Sequence, residues 1–458
     1  MVIKMITKHE NTKNPILPID VHIPDGEAHV MPDGKLYIYG SLDLPGNEYC
    51  SPVHRVVSTA DMKNWEIHPI AIDGEQLKWK EDIDISIYPD FTDEPDTPLW
   101  KSIVENLNLP QNDDGKFEVN EKGKKLLFAP DAAYHNGEYI LYFCTNDSEE
   151  GVAFSDKPEG PFTNPIKLPC RGIDPAIFID EDGKGYYYWG QFYSHAVALN
   201  EDMISFAQEN VKNWVLTEEE HFFHEGSSMR KIGDTYYAVY ACMERGKPTA
   251  LGYATSKSPL GPFTYQGILI DNDGADPETW NNHGSIECFG GQWYVFYHKS
   301  SRNGRNFRRL CIEPITINAD GTIDEVPMTS QGIGAPYKPG EEMMAYEACQ
   351  FKGNLYLDVD NQYGEALGNI ADGDKAYYRY VKNEQAYQSV SFTCEGSGTI
   401  AVFMNGQLCG TYEIVDGVQT TDEFVVEAGT YEVMLQFSSP SNMKLKKCVM
   451  RNCGMLDK

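Results

Sequence analysis

The sequence predicts an all-β protein: a five-bladed β-propeller over residues 1–335 and a smaller β-sandwich, of the jelly-roll kind, over 336–458. Three observations carry this. A polar residue followed by a turn glycine and a Tyr- or Trp-rich strand recurs five times: Asp25 before MPDGKLYIY, Asp131 before YHNGEYILYF, Asp174 before IDEDGKGYYYWG, Glu225 before RKIGDTYYAVY and His283 before CFGGQWYVFY. Each unit reads as strand, glycine turn and returning strand, a β-hairpin. The turn glycines fall at Gly34, Gly137, Gly183, Gly233 and Gly290; three of the four spacings, 46, 50 and 57 residues, lie near the period of propeller blades, while the spacing of 103 marks an insertion. Finally, 28 Tyr, 20 Phe, 7 Trp and 40 Gly among 458 residues suit an aromatic- and turn-rich β protein too long for one ordinary core.

In chain order, residues 20–70 supply the first hairpin and then STADMKNWEIH, suited to the outer part of a blade. The insertion, 72–126, holds DIDISIYPDFTDEPDTPLW and KSIVENLNL, an amphipathic stretch long enough for only about two helical turns. An insertion of this kind belongs at a channel mouth, where it shapes access. Its Trp79 and Trp100 are read as packing on the propeller flank, with stacking on a sugar ring as the alternative. AFSDKPEGPF (153–162) and ATSKSPLGPF (254–263) are near copies, expected at the outer edges of blades two and four, where Pro blocks further pairing. TSQGIGAPYKPGEE (329–342) reads as a linker, and beyond it short alternating strands are expected at 389–396, 399–406, 422–429 and 430–438, with the glycines at 396–398 in a hairpin turn.

The formal net charge is −31, from 38 basic and 69 acidic side chains, which repels phosphate backbones and acidic membranes and excludes nucleic acid and membrane as expected partners. The first residues, MVIKMITKHENTKNP, carry only a short apolar patch, and eleven Cys without CxxC pairs read as reduced, buried thiols. A cytoplasmic location is the expectation, with secretion the reading if a leader has been removed.

In a propeller the first strand of each blade lines the central channel, so Asp25, Asp131, Asp174, Glu225 and His283 are expected to converge on the axis. Paired carboxylates in an aromatic-lined channel suit glycosidic hydrolysis. One must stay protonated at neutral pH to donate to the leaving oxygen, the other ionised to activate water, and a third nearby raises the pKa of the acid by like-charge repulsion. Asp25, Asp174 and Glu225 are the candidates. Each alone reads equally as an Asx-type cap or strand-start residue, and only their joint recurrence favours chemistry.

These segments also resemble the successive blade motifs of glycoside hydrolase family 43: IPDGEAHVMPDGKLYIYGS, FAPDAAYHNGEYILYF, GIDPAIFIDEDGKGYYYWG, HEGSSMRKIGDTYYAVYA and NHGSIECFGGQWYVFYH. The resemblance spans residues 14 to 330 and implies a five-bladed propeller that inverts the anomeric centre, acting on α-L-arabinofuranosides, β-xylosides or arabinans. It implies Asp25 as general base, Asp174 as the residue that tunes the acid and orients substrate, and Glu225 as general acid. It further makes His283 an axial residue that meets substrate or, through water, a structural calcium; no other cofactor is implied. Arg308, with Arg309 as the alternative, becomes a sugar contact at the cleavage subsite. Phe128 stands where the family often has Trp and serves as a substrate wall, while Asp131 is read as a substrate contact or structural support. Gly26 replaces the Pro that usually follows the base, which leaves Glu27 as the competing position, although Asp25 keeps the distance to Ala28-His29-Val30.

Residues 345–351 and 429–450 are similar to a family 6 carbohydrate-binding module. Cys349 in Glu347-Ala348-Cys349 departs from the usual Glu-Ala-Glu. Tyr377, Tyr378 and Tyr380 are read as strand packing, with a sugar platform as the alternative. The expected activity is α-L-arabinofuranosidase on plant-type oligo- or polysaccharides, with β-xylosidase or arabinanase as alternatives and an inactive sugar-binding propeller as the reading from another class. Phosphorolysis would need more basic residues than Arg308 and Arg309 supply.

Overall fold

The computed structural model describes residues 6–44, 49–78 and 126–453. The proposed helical stretch KSIVENLNL, Trp79 and Trp100 lie outside these residues. Among the described residues, five antiparallel blades follow one another. Blade I runs Glu27–Val30, Leu36–Gly40, Val53–Thr59 and Asn64–Asp73, with Thr7–Glu10 added on its outer edge. Blade II comprises Leu127–His135, Glu138–Thr145, Glu149–Ser155 and Thr163–Arg171; blade III comprises Ala176–Ile179, Gly185–Trp189, Tyr193–Ala198 and Lys212–Thr217. Blade IV contains Phe223–Ile232, Thr235–Cys242, Ala250–Ser256 and Thr264–Asp271, and blade V has three strands, Ser285–Phe289, Gln292–Ser301 and Gly304–Ile315. The five turn glycines all have positive φ between the first and second strands, a conformation that costs glycine nothing sterically. The two Pro-Gly-Pro-Phe-like segments sit between the third and fourth strands of blades II and IV, as expected.

One apolar cluster fills each junction between blades. Tyr39 and Leu141 belong to the I/II cluster, Tyr142 and Tyr187 to II/III, Tyr188 and Tyr240 to III/IV, Tyr237 and Tyr297 to IV/V, and Ile38 and Leu310 to V/I. This is why the second strands are rich in tyrosine. The ring fills the wedge between blades while the hydroxyl donates to the next blade's connections: Tyr39 to Pro158 O at 2.8 Å, Tyr142 to Met203 O at 2.8 Å, Tyr188 to Pro259 O at 2.7 Å and Tyr237 to Gly321 O at 2.8 Å. Each such bond contributes about 1 kcal/mol net, and the buried hydroxyl would be costly without it.

The ring closes between blades V and I. Ile16 N donates to Leu310 O at 3.0 Å, the Asn14 side chain accepts from Ile312 N at 2.9 Å, and Gly26 and Gly284 form a parallel bridge. A Cβ on Gly284 would lie 1.8 Å from Phe296 O, and one on Gly26 would lie 2.9 Å from Leu310 Cδ1. The clash at Gly284 is with the backbone of its own blade and demands glycine, whereas an atom added at Gly26 would meet only the side-chain ends of Leu310 and Ile38.

Strands from Glu342 onward form a separate ten-stranded sheet around its own core. Two long strands, Tyr387–Met404 and Gly429–Asn452, pair along most of their length and pass from one layer to the other. The expected hairpin turn at 396–398 is absent. Instead, register shifts at 395–399, with Gly396 at φ 69°, bulge and bend one continuous strand. The strands expected at 389–396 and 399–406 are thus one strand, that expected at 422–429 is only Phe424–Val425, and 430–438 is the first part of Gly429–Asn452. Tyr377 and Tyr378 pack within strands as expected, which rules out the alternative of a sugar platform at these two: Tyr377 packs in the cluster between blades IV and V, and Tyr378 in the sandwich core. All eleven cysteines are free, and eight are buried. Among the described residues, no helix is long and apolar enough to cross a membrane.

Candidate active site

Asp25 and Asp174 each occupy a left-handed backbone position, φ 58° and 55°, at the point where the chain enters the inner strand of its blade. Asp tolerates this conformation better than most residues because its short side chain bonds locally. Glu225 enters blade IV one residue before Gly226, whose φ is 73° and where a Cβ would press on the His283 ring at 3.0 Å. These local geometries turn Asp25, Asp174, Glu225 and His283 inward together. His283 Nδ1 lies 3.9 Å from Asp25 Oδ1 and 3.7 Å from Asp174 Oδ2, and all four residues are buried.

The environments of the carboxylates differ. Burial opposes ionisation of Asp25, but the Arg308 guanidinium, with Nη1 2.8 Å from Oδ1, and the nearby His298 and His283 outweigh it and hold the carboxyl well below its usual range. For Asp174, burial first, then the Glu225 and Asp25 carboxylates, push it well above its usual range against the pull of Arg308. Glu225 accepts from Gln191 Nε2 at 2.8 Å on one oxygen and from Asn281 Nδ2 at 3.0 Å on the other, which fixes its orientation. Burial pulls His283 below its usual value, so its imidazole is neutral.

A continuous chain of hydrogen bonds links the two sides. Arg308 donates to Asp25 and, at 2.6 Å, to Tyr49 Oη; Tyr49 donates to Asn281 Oδ1 at 3.2 Å; Asn281 donates to Glu225. Arg308 is also clamped by Asp43, through Nε and Nη2 at 2.9 Å each. Sequence reasoning missed Asp43, Tyr49, Gln191, Asn281 and His298. His298 closes the last of the quoted motifs, and Asp43, Gln191 and Asn281 stand within two residues of one, whereas Tyr49 is farther off.

The remaining sequence candidates separate. Arg308, expected to contact sugar, is 1 % exposed and commits its fork to Asp43, Asp25 and Tyr49, so it acts on the carboxylates. Arg309 points away and pairs with Glu365 of the C-terminal sheet. Phe128 meets Tyr49 edge-on at 6.1 Å and forms part of the wall. Asp131 does not join the catalytic group. It accepts from Ile177 N at 2.7 Å and Ala132 N at 2.6 Å and lies 2.6 Å from His29 Nε2, which ties blades I, II and III together. Glu27, the rival base, is likewise engaged elsewhere, by Arg230 Nη2 at 2.7 Å and Ser228 Oγ at 3.0 Å. Burial pushes Glu27 and Asp131 up to about 7 each.

Calcium fits neither place well. Around His283 the protein offers one imidazole nitrogen, while Asp25 is taken by Arg308 and Asp174 is paired with Glu225. Glu27, His29 and Asp131 lie close enough together to ligate a metal, but Arg230 already supplies the positive charge between Glu27 and Glu287.

A xylosidase/arabinosidase of Thermoclostridium stercorarium is 28% identical, over 88% of this chain and 87% of its own length. The structure of a GH43 β-xylosidase/α-arabinofuranosidase from a compost microbial metagenome, in complex with xylotriose and in a calcium-free form, superposes with TM-score 0.53 at 27% identity, covering 70% of this chain and 99% of that one. The Bacillus subtilis arabinoxylan arabinofuranohydrolase, in complex with cellotetraose, shares the fold over 95% of this chain and 96% of its own, at TM-score 0.50 and 23% identity. The profile of glycosyl hydrolases family 43 matches residues 86–323, and with the five-bladed fold around it the chain belongs to that family and is a glycoside hydrolase.

Proposed function

We propose that the chain is an inverting, exo-acting glycosidase that removes pentose units from plant-type oligo- or polysaccharides, α-L-arabinofuranosyl first and β-xylosyl as the second reading. The names of its xylosidase/arabinosidase relatives support both. The observation that carries the chemistry is the contrast between Asp25, held ionised by Arg308, and Asp174, which burial and the neighbouring Glu225 and Asp25 carboxylates push well above its usual range.

In this reading Asp25 takes a proton from water as the water oxygen bonds to the anomeric carbon. The bond from that carbon to the leaving oxygen breaks, and its electron pair takes the proton of Glu225. Asp174 stands beside Glu225 as its like-charged neighbour, neutral His283 orients the sugar, and the chain of donors from Arg308 to Asn281 connects base and acid. Residues 1–335 form the catalytic unit, and residues 336–458 buttress blade V rather than present a tyrosine platform to sugar.

The test is hydrolysis of nitrophenyl arabinofuranoside, xyloside and galactoside with NMR of the first-formed anomer. Inversion on a pentoside supports the reading, and retention or no turnover on any glycoside overturns it, the latter in favour of a sugar-binding propeller. Glu225→Gln should lose several orders of magnitude on natural glycosides and much less where the leaving group needs no proton.

A further inference from the structure

Beside the acid, on blade III, lies a hollow of about 260 Å³ that the reaction described above does not use. It begins at Gln191, whose amide holds Glu225, and runs outward past Trp189, Tyr193, His195, Asn213 and Trp214. Its walls are aromatic and fixed. His195 stacks on Trp189 with centroids 5.3 Å apart and planes at 27°, its Nδ1 lies 2.7 Å from Asn213 Oδ1, and Tyr193 meets both His195 and Trp214 edge-on. Trp214 is 56% exposed and holds a left-handed backbone, φ 60°, a conformation that a large side chain rarely adopts. Arg171 also lines the hollow, and its Nε is buried without a hydrogen-bond partner.

Two features select the occupant. The acid donates to the leaving oxygen, so whatever departs lies on the acid's flank, and Gln191 makes the hollow continuous with that flank. Flat aromatic faces and amide or guanidine donors are what the apolar face and hydroxyl rim of a sugar ring require.

We infer that this hollow is the leaving-group subsite, which holds the sugar rings of the oligo- or polysaccharide from which the pentose is cut, with Trp214 as its stacking platform. The inference rests on the reading of Glu225 as the acid. It places Trp214 as a specificity residue that acts through binding.

The experiment compares wild type with Trp214→Ala on xylotriose and arabinoxylan against a pentosyl fluoride, whose leaving group fills no sugar subsite. The ratio of kcat/KM on the glycan to that on the fluoride should fall about tenfold, mostly through KM. An unchanged ratio overturns the subsite. Binding of xylotriose to Glu225→Gln, with and without Trp214→Ala, is measured by calorimetry and does not depend on turnover. Loss of binding with the tryptophan supports the subsite even if the assigned chemistry fails, and equal binding overturns it even if the chemistry holds.

Discussion

Arg308 Nη1 and Asp25 Oδ1 meet at 2.8 Å, and the same guanidinium is forked by Asp43, so one buried cation holds two buried carboxylates. A cation so placed keeps the base ionised, but it also makes the base weaker. Activity on the acid side is therefore expected to persist below the ordinary range of an aspartate.

Arg308→Met strands both carboxylates and is expected to cost about 3–5 kcal/mol at neutral pH. Because the folded pKa of Asp25 is depressed, its contribution is present above the unfolded value and disappears as pH falls through the folded one. The deficit should thus be largest near neutrality and shrink towards about pH 4, where the unfolded carboxyl begins to protonate. Urea unfolding at both pH values reads this. The acidic limb of kcat/KM should move to higher pH in the same variant, and a deficit that grows in acid would contradict the pairing.

Asp174→Asn removes a like charge from the buried pair. Without that repulsion, the basic limb of the pH–rate profile should move to lower pH. Asp25→Asn should lower the rate across the whole profile, with azide restoring part of it as a nucleophile that needs no base. Rescue of Asp174→Asn in place of Asp25→Asn would reverse the two roles.

Gly226→Ala should lower kcat strongly while the protein still folds. The left-handed backbone costs an alanine about 1–2 kcal/mol, and the added carbon presses on His283 beside Glu225. Circular dichroism and pentoside kinetics together check this, and unaltered kinetics would show that the position of His283 does not matter.

Glu365→Ala leaves Arg309, 1% exposed, without its main anionic partner, and about 3–5 kcal/mol of stability should go with it. The double variant Arg309→Met, Glu365→Leu should recover most of that loss. Differential scanning calorimetry of the full chain measures both, and an equal loss in the double variant would remove the pair's role in holding the C-terminal sheet to blade V.

That Asp25, Asp174, Glu225 and His283 would meet was legible because each stands at the same point of a repeat, and repetition in sequence becomes convergence in space around an axis. Their partners were not. Asp43, Tyr49 and Gln191 come from connections between strands, where no periodicity marks them, and His298 lies in a buried second strand that reads as packing. The two neighbouring arginines looked interchangeable, yet alternation along a strand sends Arg308 to the channel and Arg309 to the sandwich. Tyr377 and Tyr378 pack as the sequence reading had them, successive side chains of a strand covered on both sides and so both buried.

The closure of the ring at Gly26 and Gly284 also sets an order in time. Asp25 leaves the ribosome early, while Arg308, 283 residues later, is among the last residues of the propeller to emerge. No truncated chain or nascent intermediate short of blade V can set Arg308 against Asp25, so the buried cation reaches its carboxylate only when the circle is complete.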